Sequence, residues 1–356
     1  MFKHFWEKFK NKMIKMQRLL LIITIKQGVI NMNIKKIGLT ALAGSLVATS
    51  AFAGSLSVSG GASFEVQHVN GGAANAGKAW SMGNSVTFTG SGDVAETGLT
   101  ATVSFELDQG AGAGVKSTSD TGKPFDSHSL TIGSDDVGTL TFAGHGGSSA
   151  QSAVDDMATG DIWDNGMGHA GAPTSSTSDN MLSYSLPSLM DGLAVNVSYV
   201  PHTGTQYEGT FDWAVAYTGV EGLTVGFASG ENKTTKGSEA DVSTYYATYA
   251  YGPITIAFAE TEYDSEATTA SADVDFTGYS VAYTVSDEIS IAYKVADQST
   301  PNNSSDVDQE VNGVTASYTA GGMTISGKMV NGDNMSYSST VTADKSMWEV
   351  AASFAF

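Results

Sequence analysis

The residues with the most chemical potential are carboxylates gathered in one stretch. Between residues 144 and 180 the chain carries Asp155, Asp156, Asp161, Asp164 and Asp179 and no Lys or Arg. Carboxylates without basic partners attract cations and raise their local concentration. A second acidic set, Asp264, Asp273, Asp275, Asp306 and Asp308, occupies later polar stretches. It suits Ca²⁺, a hard cation that takes about six to eight oxygens, although its spacing is not that of an EF-hand. Trp163 sits among the first set and suits burial against a neighbouring surface.

Other chemistries fail on their residue requirements. Gly72-Ala73-Ala74-Asn75-Ala76-Gly77-Lys78 approaches a phosphate loop, but Ala79 stands where a Ser or Thr is needed. His68, His128, His145, His169 and His202 are scattered and lack the spacing of a metal pair on one helix. No serine sits in a Gly-x-Ser-x-Gly elbow. No enzyme and no cofactor are expected, the acidic-loop Ca²⁺ aside.

The elements around these residues are strands. In the last ten residues Trp348, Val350, Ala352, Phe354 and Phe356 alternate with smaller side chains, and the chain ends on an aromatic. A period of two gives one apolar face and one polar face. An apolar strand at a chain end suits a transmembrane β-barrel, whose last strand must close against its first because lipid tolerates no unpaired edge.

At the other end, Lys35 and Lys36 precede an apolar run from Ile37 to Ala48, and Ala51-Phe52-Ala53 supplies a small–x–small cleavage pattern. Residues 32–53 therefore read as a secretory signal peptide, too short for the ~20 apolar residues of a membrane span. Met32 sits where translation should begin. Residues 1–31 read as an over-extended start, the alternative being a cytoplasmic extension. Residues 1–53 hold nine of the 17 Lys and Arg but only one of the 37 Asp and Glu. The mature chain, 54–356, keeps eight basic residues, all lysine, against 36 acidic ones, a net charge of −28. That balance excludes a nucleic-acid partner, which needs basic patches. The chain has no cysteine, so the exported fold is not stapled by disulfides.

Alternation recurs throughout the mature chain, in runs such as Leu99-Ala101-Val103-Phe105-Leu107, Phe211-Trp213-Val215-Tyr217 and Tyr279-Val281-Tyr283-Val285. Sixteen such strands are predicted, joined by seven short turns and eight longer polar stretches near 69–79, 108–126, 144–180, 200–210, 229–241, 259–273, 296–312 and 330–345. Short turns at one end and long loops at the other are the outer-membrane pattern. The polar parity holds almost nothing large, which leaves a lumen rather than a core. By parity Glu65, Glu106, Asp212, Lys294, Lys328 and Glu349 point into that lumen. Trp80, Tyr184, Tyr199, Tyr217, Tyr251, Tyr283, Tyr318 and Trp348 suit aromatic girdles.

These features make the chain resemble a Gram-negative general porin, in the style of the trimeric sixteen-strand porins of alphaproteobacteria. The resemblance rests on the opening Ser55-Leu56-Ser57-Val58-Ser59-Gly60, on the segment from Ser129 to Phe142, on the long loop with Ala153-Val154-Asp155-Asp156 and Gly160-Asp161, on Asn180-Met181-Leu182-Ser183-Tyr184-Ser185, and on the aromatic C-terminus. It implies an all-β fold, a sixteen-strand antiparallel transmembrane barrel with a long third loop, 144–180, folded into the pore. It also implies a homotrimer in the outer membrane, in contact with lipid and lipopolysaccharide. Trp348, Phe354 and Phe356 would form the signal read by the barrel-assembly machinery. In such proteins loop acids face a basic cluster across the constriction. This mature chain has no arginine with which to build one. Asp155, Asp156, Asp161 and Asp164 are thus expected to line a constriction of negative potential, and the pore to admit small hydrophilic solutes and to prefer cations. A substrate-specific channel and a secreted β-rich surface protein are the alternatives.

Overall fold

The computed structural model describes residues 54–71, 78–108, 125–160, 162, 167, 169, 171–175, 179–201, 208–233, 237–267, 273–301, 307–340 and 343–356. Both leader segments and Asp161, Trp163, Asp164, His202 and Asp306 lie outside the described residues.

Sixteen antiparallel strands close into one barrel, each hydrogen-bonded to its neighbours in sequence and the first to the last. They are β1 (Ser55–Gly71), β2 (Lys78–Val94), β3 (Leu99–Asp108), β4 (Ser127–Ser134), β5 (Gly138–His145), β6 (Met181–Ser185), β7 (Leu193–Val200), β8 (Thr210–Val220), β9 (Leu223–Asn232), β10 (Ala240–Tyr251), β11 (Ile254–Ser265), β12 (Val274–Thr284), β13 (Ile289–Ser299), β14 (Gln309–Ala320), β15 (Met323–Asp333) and β16 (Lys345–Ala355). Each predicted strand has its counterpart, and the seven short turns fall where sequence placed them.

The parity that sequence marked as apolar faces outward. Val281 is 52% and Tyr293 50% exposed, and Leu130, Phe142, Phe258 and Phe354 are exposed with them. Such a belt is incompatible with water and suits hydrocarbon. The closing seam runs to the last residue. Gly60 N–H donates to the Phe356 carbonyl at 2.9 Å, and Phe356 N–H returns the bond at 3.0 Å. A Cβ on Gly60 would sit 2.6 Å from the Ser85 carbonyl oxygen and 3.0 Å from the Phe356 ring, so only glycine lets β1, β2 and the terminal ring approach this closely.

Strand ends run further than alternation foresaw. β11 continues to Ser265 and β13 to Ser299, through segments read as polar loops from 259 and 296. Above the lipid a strand still needs its ladder hydrogen bonds but no apolar face, so Glu260, Glu262 and Asp264 serve as outward positions there. β2 spans 17 residues although only Val86 and Phe88 showed alternation, because its outward positions include Gly90 and Gly92.

Candidate functional site

One row of inward positions on β2 to β6 is small and hydroxylic. Ser91, Thr102, Thr131, Thr141 and Ser183 stand opposite one another in successive strand pairs, one unbroken row across the five strands β2 to β6. The Thr131 and Thr141 hydroxyls bond at 3.0 Å. Side chains of this size leave the space in front of them open.

The opposite wall is covered by the loop between β5 and β6, which turns inward and crosses strand after strand. Ala150 N–H donates to the Ser198 hydroxyl on β7 at 2.9 Å, and the Gln151 amide to Thr244 on β10 at 3.0 Å. Thr261 on β11 donates to the Asp155 carbonyl at 3.2 Å, Ser280 on β12 to the Ala158 carbonyl at 2.7 Å, and Lys294 on β13 to the Thr159 carbonyl at 2.7 Å. The wall beneath is built to receive it. Ala150 packs on Ala214 and Ala228, and Ala158 on Ala259 and Tyr246. Gly278 would place a Cβ 3.0 Å from Thr159. Further along, Ile162 and Met167 enter a buried apolar cluster with Phe276, Val311, Val330, Met347, Val69 and Met335, the last from the β15–β16 loop. The neck of the loop is closed by a hydrogen bond between His145 Nδ1 and the Asp179 carboxylate.

Asp155 and Asp156 sit on the loop between these anchors, half-buried. The Asp156 carbonyl accepts from Thr159 N–H at 3.0 Å and Gly160 N–H at 2.9 Å, closing a tight turn. Asp161 and Asp164 were expected beside them and fall outside the described residues. Glu65 and Glu106 face inward on β1 and β3, Glu106 accepting from the Ser127 hydroxyl at 3.1 Å. Lys328 on β15 lies 3.0 Å from Glu349 on β16. Asp212 also points inward, yet the loop lies over it and it is 1% exposed.

His169 is 8% exposed, packs edge-on against Phe276, and accepts from Gly171 N–H through Nδ1 at 3.0 Å. Burial pushes its pKa down to about 4, because the charged imidazolium is disfavoured away from water. Asp273 of the second acidic set accepts from Ser265 N–H at 2.9 Å. Among the described residues no three His, Asp or Glu side chains converge as metal ligands.

Sequence reasoning missed Gln151, Ser149, Ser175 and Ser198, which tie the loop down. They belong to no motif, and Ser and Gln in a polar stretch carry no signal of burial. The cue read from sequence was Trp163, which lies outside the described residues, and its apolar neighbours Ile162 and Met167 carry the burial among those described.

A family profile described as Gram-negative porin matches residues 38–333, more than half of the chain. No curated protein matches it. Solved structures share the fold. The anion-selective porin from Comamonas acidovorans superposes with a TM-score of 0.60 at 14% identity, covering 85% of this chain and 100% of that one. A variant of the Rh. blastica porin gives 0.62 at 15%, covering 85% and 100%. The trimer form of in-vitro folded OmpT from Vibrio cholerae gives 0.61 at 17%, covering 85% and 99%.

Proposed function

Because the chain belongs to the Gram-negative porin family and so resides in the outer membrane, we propose that it lets small hydrophilic solutes and ions diffuse passively and prefers cations. The observation that carries the preference is the fate of the two wall lysines that parity placed in the lumen. Lys328 is paired with Glu349, neutral as a unit, and the Lys294 ammonium, which keeps its charge, is held against the loop at the Thr159 carbonyl. With eight lysines and no arginine against 36 acidic residues in the mature chain, and Asp155, Asp156, Glu65 and Glu106 placed at or toward the open space, the potential there is negative. The fold does not decide the sign, since an anion-selective porin shares it. The side chains do. Reversal potential in a planar bilayer under a KCl gradient tests this: a cation-selective sign is expected, and an anion-selective one refutes the assignment. Saturable block by a single solute would favour a substrate-specific channel instead.

The assembly we infer is a homotrimer packed through the β1–β5 face. None of the 14 tyrosines precedes Tyr184, so apart from Trp80 this apolar face lacks the girdle that marks lipid contact. The wall beside it is also low. The five residues of β6 reach about 17 Å along the strand, short of the ~25 Å apolar band. The remaining face, rich in Tyr, is the one left for lipid and lipopolysaccharide. Cross-linking of the detergent-extracted protein should give a ladder ending at three.

A further inference from the structure

On this pore reading, we propose that Asp212 is the positioning residue of the constriction: its carboxylate fastens both limbs of the inward loop to the wall and so sets where Asp155 and Asp156 stand. Glu231 N–H donates to one carboxylate oxygen at 3.0 Å and the Ser198 hydroxyl to the other at 3.2 Å. The hydroxyls of Ser149, on the outgoing limb, and Ser175, on the returning limb, also reach the carboxylate, and they lie 2.7 Å from each other. Gln151 completes the tie, accepting from Ser175 N–H at 2.7 Å while donating to Thr244.

Only a carboxylate fits this role. It accepts through both oxygens and has room for about four donors, whereas an amide turns a donor toward donors. Among the described residues its partners are hydroxyls and an amide, with no ion pair to a base. The neighbouring strand makes room for it: a Cβ on Gly230 would lie 1.9 Å from the Asp212 carboxylate and 2.8 Å from Ser175. Packing alone fixes the loop weakly here, since the buried side chains around the knot are Ala150, Ala214 and Ala228 and only the half-buried Val154 adds a branched shape to them. The register of the loop at Ser149, six residues before Asp155, therefore depends on the carboxylate.

The test combines hydrogen exchange with single-channel recording on the full barrel, comparing wild type, Asp212→Asn and the double variant Ser149→Ala, Ser175→Ala. Amides of Ala150, Ser152 and Ser175 are expected to exchange at least about tenfold faster in both variants, with strand amides other than that of Glu231 unchanged. Open-channel current noise should rise while thermal unfolding of the barrel stays in place. If loop exchange and current noise match wild type in both variants, the proposal fails. It fails equally if exchange accelerates in the strands as much as in the loop, since Asp212 would then hold the fold rather than the constriction. A wild-type protein that does not conduct removes the pore reading, and the exchange data still decide whether Asp212 places the loop. Should Asp212→Asn not fold, the serine pair gives the answer.

Discussion

The Lys328 ammonium lies 3.0 Å from the Glu349 carboxylate, and the two face each other across β15 and β16 on the lumen side of the wall. The pair is neutral as a unit, so it takes one of the few mature lysines out of the field that a passing ion meets. Glu349→Gln leaves that ammonium uncompensated. The K⁺ to Cl⁻ permeability ratio should then fall by about fivefold, since one unit charge some 8 Å from an ion in a watery pore is worth about 0.5 kcal/mol and acts with opposite sign on the two ions. Lys328→Gln should raise the ratio by a similar factor. Equal reversal potentials in the two variants would show that the pair lies off the ion path.

The Asp155 and Asp156 pair makes a salt-dependent prediction. Carboxylates lining a passage concentrate cations when screening is weak, with a Debye length of about 10 Å at 0.1 M and 3 Å at 1 M. Asp155→Asn, Asp156→Asn should lower conductance severalfold at 0.1 M KCl and change it little at 1 M, with the reversal potential moving toward zero. A uniform loss at both salts would point to a changed bore instead of a lost charge.

These assignments were unequally legible in the sequence. Strand number, turn positions and facing were all readable, because a lipid-facing wall imposes a strict period of two on residues such as Tyr279, Val281 and Tyr283. The place of an inward residue was harder to read. Parity gives Lys294 and Asp212 the same standing as Glu65, yet the loop covers Asp212 and takes the Lys294 ammonium for its own carbonyl. What a loop lies upon is a long-range fact: Gln151 meets Thr244 and Asp155 meets Thr261 across about a hundred residues, and no local pattern encodes such pairs.

Acid should loosen the inner anchor of the loop through His169. Its pKa of about 4 in the folded state lies below the ordinary 6.5, so the fold favours the neutral ring. Its contribution is fully present above pH 6.5 and is lost as pH falls from 6.5 through 4, up to about 3 kcal/mol for a shift of this size. Protection factors around Gly171, which correct for the slower intrinsic exchange in acid, should therefore fall between pH 6 and 4, and His169→Gln should flatten that dependence. A pH profile unchanged in the variant would assign the acid response to other groups.

The seam between the chain ends carries the last prediction. Phe356 is bonded in both directions to Gly60, and its ring lies 3.0 Å from where a Cβ of residue 60 would be. Gly60→Val must push against both that ring and the Ser85 carbonyl, which belongs to the neighbouring strand and cannot swing away as a side chain can. Deleting Phe356 removes two hydrogen bonds and the ring but leaves β1 and β2 undisturbed. Gly60→Val should therefore reduce the yield of the heat-modifiable folded form more than the deletion does in refolding from urea, where no assembly factor is present. In cells the order should reverse if the terminal aromatic is also the signal by which the chain is recognised for insertion. Measuring folded yield in both settings separates the packing role of Phe356 from its role in recognition, because only the second depends on another protein.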